Sequence, residues 1–99
     1  MPFVTTEPET LAAAAGALQS IGSTMSAHNA AAAAPTIGVV PAAADEVSAL
    51  TAAQFAAHGQ MYQAVSAQAA AMHALFATTL KAAAGSYAAT EVANAAMSS

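Results

Sequence analysis

The chain has 99 residues, 34 of them alanine, enough for one small domain and no more. A single cation, Lys81, stands against five acids, Glu7, Glu9, Asp45, Glu46 and Glu91, for a net charge of −4. That balance excludes nucleic-acid binding and electrostatic docking on an anionic membrane, both of which need several cations on one face, and the absence of cysteine excludes disulfides, thiol chemistry and Cys-ligated metal.

Alanine is the best helix former because it loses no side-chain entropy on ordering, and β-branched and aromatic residues are sparse, so the expected fold class is all-α. Charged residues make up 6% of the chain, against about a quarter in an ordinary soluble domain. None occurs between Thr10 and Ala44, nor from Val47 to Leu80. Few charges and much apolar surface imply that part of this surface is covered in the working state. The charge-free stretches are rich in Ala, Ser, Thr, Gln and Asn rather than Leu, Ile, Val and Phe, a poor composition for crossing a bilayer. The N-terminus has neither the basic region nor the compact apolar region of an ordinary signal peptide, so any export is expected to use another signal.

Met1 to Thr6 form a short lead-in containing Phe3 and Val4. Thr6-Glu7-Pro8-Glu9 then reads as a capping box, with Thr6 as N-cap, Glu9 reaching back to it, and Pro8 in the first turn, where no amide donor is needed. The first helix is expected over about 7–33. Its large apolar residues Leu11, Leu18, Ile21 and Met25 fall within a wedge roughly 80° wide, with Leu11, Leu18 and Met25 spaced by sevens.

Two prolines and a glycine in Pro35-Thr36-Ile37-Gly38-Val39-Val40-Pro41 predict a linker over 35–41, short enough to favour an antiparallel hairpin. Ile37, Val39 and Val40 make that connection apolar, so its tip is expected to pack against something.

The second helix is expected over about 43–84, with Asp45 and Glu46 in its first turn and Lys81 in its last, each favourable to the helix dipole. Its large apolar residues are Val47, Leu50, Phe55, Met61, Tyr62, Val65, Met72, Leu75, Phe76 and Leu80, and they cover about 160° of the helical wheel. A narrow stripe on one helix cannot cover so wide a stripe on its neighbour, and two helices alone enclose no core. The expected interface with a partner comprises Leu11, Leu18, Ile21, Met25, Leu50, Phe55, Met61, Tyr62, Val65, Met72, Leu75, Phe76 and Leu80. Gly85-Ser86 is read as a stop or a weak point, and 85–99 as a tail that is helical in part and then frayed.

Catalytic constellations are not evident. His28, His58 and His73 have no carboxylate three or four residues away and no i, i+4 partner among themselves, so exposed or interface histidines are the default reading over a metal site. No Gly-x-Ser-x-Gly or glycine-rich phosphate loop occurs, and Asp45 and Glu46 point in different directions on a helix. The chain is therefore read as non-enzymatic and without cofactor. Tyr87 and Glu91 share one helix face four residues apart, a modest signal taken alone.

Several motifs taken in order resemble the mycobacterial PE proteins: Met1-Pro2-Phe3-Val4-Thr5-Thr6-Glu7-Pro8-Glu9 with its Pro8-Glu9 pair, the Ala-rich stretch that follows, Val40-Pro41-Ala42-Ala43-Ala44-Asp45-Glu46-Val47-Ser48, and Tyr87-x-x-x-Glu91. The resemblance covers essentially the whole chain as a single PE domain, 1–99, and is greatest to the short members of the fifth ESX secretion locus. It implies a two-helix antiparallel hairpin that completes a four-helix bundle with a larger PPE protein, and export of the pair by a type VII (ESX) system. An EspG-type chaperone is implied to act through the PPE chain, and Tyr87 and Glu91 to form part of the export signal. The implied destination is the medium, the cell surface or the envelope. The alternative is an envelope-associated helical protein that alters outer-membrane permeability or helps nutrients across.

Overall fold

A computed structural model describes residues 6–98, so Phe3 and Val4 of the lead-in, with Met1, Pro2 and Thr5 of the opening motif, lie outside the described residues. The chain forms two helices, α1 over Pro8–Ile37 and α2 over Glu46–Ser98, with no strand among the described residues. The all-α fold class expected from the composition is the one observed.

The start of α1 departs from the capping box. The Leu11 amide donates to the Glu7 carbonyl at 3.0 Å, which makes Glu7 the N-cap and Pro8 the first helical residue. Proline's fixed φ favours that position, and it leaves Thr6 one residue outside the helix. The Thr6 hydroxyl donates instead to Glu91 Oε1.

The end of α1 lies beyond the expected residue 33, because the helix passes through Pro35 to Ile37. Proline there removes the bond its own amide would have made and crowds the carbonyl four residues back, a cost the helix bears close to its end. The last turn is closed by other donors: the Thr36 hydroxyl to the Ala32 carbonyl at 2.7 Å, and the Gly38 amide to the Ala34 carbonyl at 2.9 Å. The connection is thus 38–45 rather than 35–41.

The start of α2 is three residues later than expected. Asp45 is its N-cap rather than a first-turn residue: its carboxylate accepts the Ser48 amide at 2.7 Å and the Ser48 hydroxyl at 3.2 Å. Ala42-Ala43-Ala44 are good helix formers, but a helix begun there has no side-chain acceptor for its first amides, whereas one begun at Glu46 has Asp45. At the other end α2 runs through Gly85 to Ser98, so the expected tail is helix and Lys81 lies in the helix interior. One glycine costs about 1 kcal/mol relative to alanine. Alanine-rich sequence on both sides outweighs that, and hydroxyls of Thr90 and Ser98 bond back to the carbonyls of Ser86 and Asn94.

Packing divides the chain into two units, one made of the chain up to Gly22 with Met72 onward, the other of Ser23–Ala71. In the first unit Thr6 meets Glu91 and Leu18 meets His73, so its two helical segments run antiparallel. Its seam is lined by Leu11, Ala15, Leu18 and Gly22 on α1 and by His73, Ala77, Leu80, Ala84 and Glu91 on α2. Steps of three and four residues, and of seven from Ala84 to Glu91, are the spacing of a coiled-coil seam. Ala15 and Ala77 are 1% and 0% exposed. The His73 imidazole Nε2–H donates to the Leu18 carbonyl at 2.5 Å.

In the second unit Asn29 meets Tyr62 and Gln63 while Thr36 meets Gly59, again antiparallel, and here the 38–45 connection makes the unit a helical hairpin. Its seam is Asn29, Ala32, Ala33 and Ile37 against Ala52, Ala56, Gly59, Gln63, Ser66 and Ala70. Small residues at both seams let the backbones approach closely. No large side chain among the described residues is fully buried. Each seam methyl contributes about 0.8 kcal/mol, against about 2 kcal/mol for a buried leucine or phenylalanine.

Candidate functional site

The large apolar residues point away from these alanine seams. In the second unit Met25, Val47, Leu50, Phe55, Met61, Tyr62 and Val65 are exposed, with Phe55 at 60%. In the first unit Ile21, Met72, Leu75 and Phe76 are exposed, with Phe76 at 59%. Leu11, Leu18 and Leu80, expected in the same interface, are instead half-buried in the seam of the first unit. The narrow stripe of α1 is therefore partly spent on its own neighbour, while the wide stripe of α2 is left open.

At the tip of the second unit, Val39 and Phe55 together line two adjoining shallow troughs. One continues over Val40, Pro41, Val47 and Thr51, the other over Pro35, Thr36, His58 and Tyr62. Ile37 and Val39 pack as the apolar linker led one to expect, but Val40 remains 82% exposed. The Tyr62 hydroxyl donates to Asn29 Oδ1 at 2.5 Å and the Gln63 side-chain amide donates to the Asn29 carbonyl at 2.8 Å, so the tip of the tyrosine is tied to α1 while the residue stays exposed.

The first unit, which holds both ends of the sequence, brings two separate motifs together. Tyr87 is 47% exposed, and Glu91, one turn further along α2, is half-buried and accepts the Thr6 hydroxyl at 2.9 Å. Beside them Pro8, Glu9 and Ala12 of α1 line a shallow trough with Lys81, Ala84, Gly85 and Ala88 of α2. The Pro8-Glu9 pair and the Tyr87-x-x-x-Glu91 element, far apart in sequence, thus share one end of the unit.

His28 and His58 are exposed and His73 is in the seam. Among the described residues no group of three or more His, Cys, Asp or Glu converges on a point, and no helix is long and apolar enough to cross a membrane. Asn29, Gly22, Gly59 and the partners of Thr6 and His73 carry functions in the packing that the sequence reading missed. The available signal was a line of small and polar residues at steps of three and four (Gly59, Gln63, Ser66, Ala70, His73), which an inventory of large apolar residues passes over.

This geometry, with alanine seams inside and an aromatic and methionine surface outside, defines a small all-α helical module with an open apolar surface. The chain belongs to the PE family, which its residues 4–94 match. It is 71% identical to the PE family protein PE13 of Mycobacterium tuberculosis over the whole of both chains. It is 57% identical to the PE family protein PE8 of the same organism over 95% of this chain and 34% of that one, and 60% identical to the PE-PGRS family protein PE_PGRS8 over 97% and 55%. These last two relatives are longer, and the chain spans only part of their length. PE family proteins are generally partners of PPE proteins, are generally secreted or associated with the cell surface, and are not known as enzymes.

Proposed function

We propose that this chain is the non-enzymatic PE subunit of a PE/PPE heterodimer, exported by a type VII (ESX) system of the fifth-locus kind. The observation that carries the proposal is the open apolar surface of α2: Leu50, Phe55, Met61, Val65, Met72, Leu75 and Phe76 are all exposed while the seams hold alanine. Burial of each such side chain contributes about 2 kcal/mol, and a PPE helix pair laid along α2 supplies that burial and completes a four-helix bundle. Methionine and aromatic side chains suit such a surface because they adapt to and fill a partner's grooves. Tyr87 and Glu91 are proposed as the export element and an EspG-type chaperone as acting through the PPE chain.

Co-expression with the PPE protein that co-purifies from a native host tests the pairing. A stable 1:1 complex is expected, and Phe55→Asp or Phe76→Asp is expected to weaken it by about 100-fold or more, since each buries a charge in the interface. Undiminished pairing of both variants places the interface elsewhere. The alternative, a direct effect on envelope permeability, draws on the same apolar surface. Flotation of the purified heterodimer with liposomes favours that reading, and its retention in the aqueous fraction favours the soluble complex.

A further inference from the structure

Thr6 and Glu91 are 85 residues apart in sequence, yet the Thr6 hydroxyl donates to Glu91 Oε1 at 2.9 Å in a partly buried contact. Glu91 is the acid of the Tyr87-x-x-x-Glu91 element and follows Tyr87 by one turn of α2, on the same face. A glutamate on an open helix surface samples several rotamers, and ordering it costs entropy. A hydroxyl donor on one carboxylate oxygen selects among those rotamers, and hydrogen bonds to a charged acceptor are the stronger kind. Here the donor comes from the residue just ahead of α1 rather than from α2 itself. The element takes this form only when the two ends of the chain are packed together in the first unit.

We infer that Thr6 is a positioning residue of the export element, holding the Glu91 carboxylate in register with Tyr87. The signal is then a folded surface contributed by both ends of the chain rather than a linear stretch of tail. This inference rests on the export reading of Tyr87 and Glu91 proposed above. The trough beside it is consistent with a shared surface, since Pro8 and Glu9 line it together with Gly85 and Ala88, which flank Tyr87. A chain whose ends are not packed lacks the surface, so export becomes conditional on folding.

The test uses the full chain with its PPE partner in a mycobacterial host, with the complex quantified inside the cell and in the envelope and medium. Thr6→Val keeps the size and branching of the side chain and removes the donor, whereas Thr6→Ser keeps the donor. The Thr6→Val complex is expected to assemble with its partner as the unmodified one does and to melt only slightly lower, as loss of a single hydrogen bond implies, its exported fraction to fall about tenfold, and Thr6→Ser to restore it. Tyr87→Ala reports on the export reading itself. Normal export of Thr6→Val with Tyr87→Ala retained overturns the positioning role and leaves the export reading standing. Normal export of Tyr87→Ala overturns both. Impaired assembly of Thr6→Val, or an export defect matched by a Gly22→Ala or Leu80→Ala variant of equal melting temperature, makes Thr6 a folding residue and also overturns the inference.

Discussion

Gly59 lies against the main chain of Thr36 so closely that a Cβ at position 59 comes within 2.9 Å of the Thr36 carbonyl oxygen and 3.1 Å of its carbonyl carbon. The obstacle is backbone in the last turn of α1, which cannot swing aside as a side chain does. Gly59→Ala is therefore expected to destabilise the second unit by about 2 kcal/mol despite alanine's better helix propensity. Thermal melting of the isolated chain, followed by circular dichroism, checks it. A rise in melting temperature contradicts the close approach.

Gly22 presents the softer version of the same contact. A Cβ there lies 2.7 Å from the His73 ring, which is the movable end of a side chain. Gly22→Ala gains about 1 kcal/mol of helix propensity and loses the bond from His73 to the Leu18 carbonyl, worth about 1 kcal/mol, so a near-neutral result is expected. Gly16 and Gly85 meet nothing within 4 Å. Alanine at either is expected to stabilise by about 1 kcal/mol. Melting the variants side by side should rank them Gly85→Ala and Gly16→Ala highest, Gly22→Ala intermediate and Gly59→Ala lowest.

Leu80 and Phe76 are a turn apart on α2 with opposite expected phenotypes. Leu80 is half-buried in the seam of the first unit, and Phe76 is exposed. Leu80→Ala is expected to lower the stability of the isolated chain by about 1–2 kcal/mol, a part of the cost of a fully buried leucine. Phe76→Ala should leave it within about 0.5 kcal/mol while weakening a PPE complex by about 2 kcal/mol or more. Melting of the isolated chain and titration with the partner separate the two effects, and a large loss of stability in Phe76→Ala alone means that the ring already packs within its own chain.

Asp45 holds the first turn of α2 through the Ser48 amide and hydroxyl. Asp45→Ala is expected to cost about 1 kcal/mol, and amide exchange at Ser48 and Ala49 should accelerate ahead of the rest of α2. Unchanged exchange there means that the cap is not what starts the helix.

Much of the fold was legible because the governing physics is local. Alanine content implies helix, and Pro35 through Pro41 imply a reversal. The large residues of α2 were too many for one neighbour to cover, and all of them but Leu80 are exposed. The boundaries were less legible. Pro35 looked like a stop, yet Thr36 and Gly38 supply the donors that carry the helix past it, and Gly85 looked like an end, yet its alanine-rich flanks hold the helix together.

By itself the sequence determined that this protein is two alanine-rich helices with an excess of apolar surface on the second, since propensity and periodicity depend only on neighbours along the chain. Only the tertiary structure decided which residues form the seams. In the first unit leucines at 11, 18 and 80 turned inward beside Ala15 and Ala77 while Phe76 stayed out; in the second Phe55 stayed out, where a seam of alanines and Gly59 brings two backbones too close for a ring between them. It also decided that Thr6 caps nothing and instead meets Glu91, a contact across 85 residues that no local rule encodes.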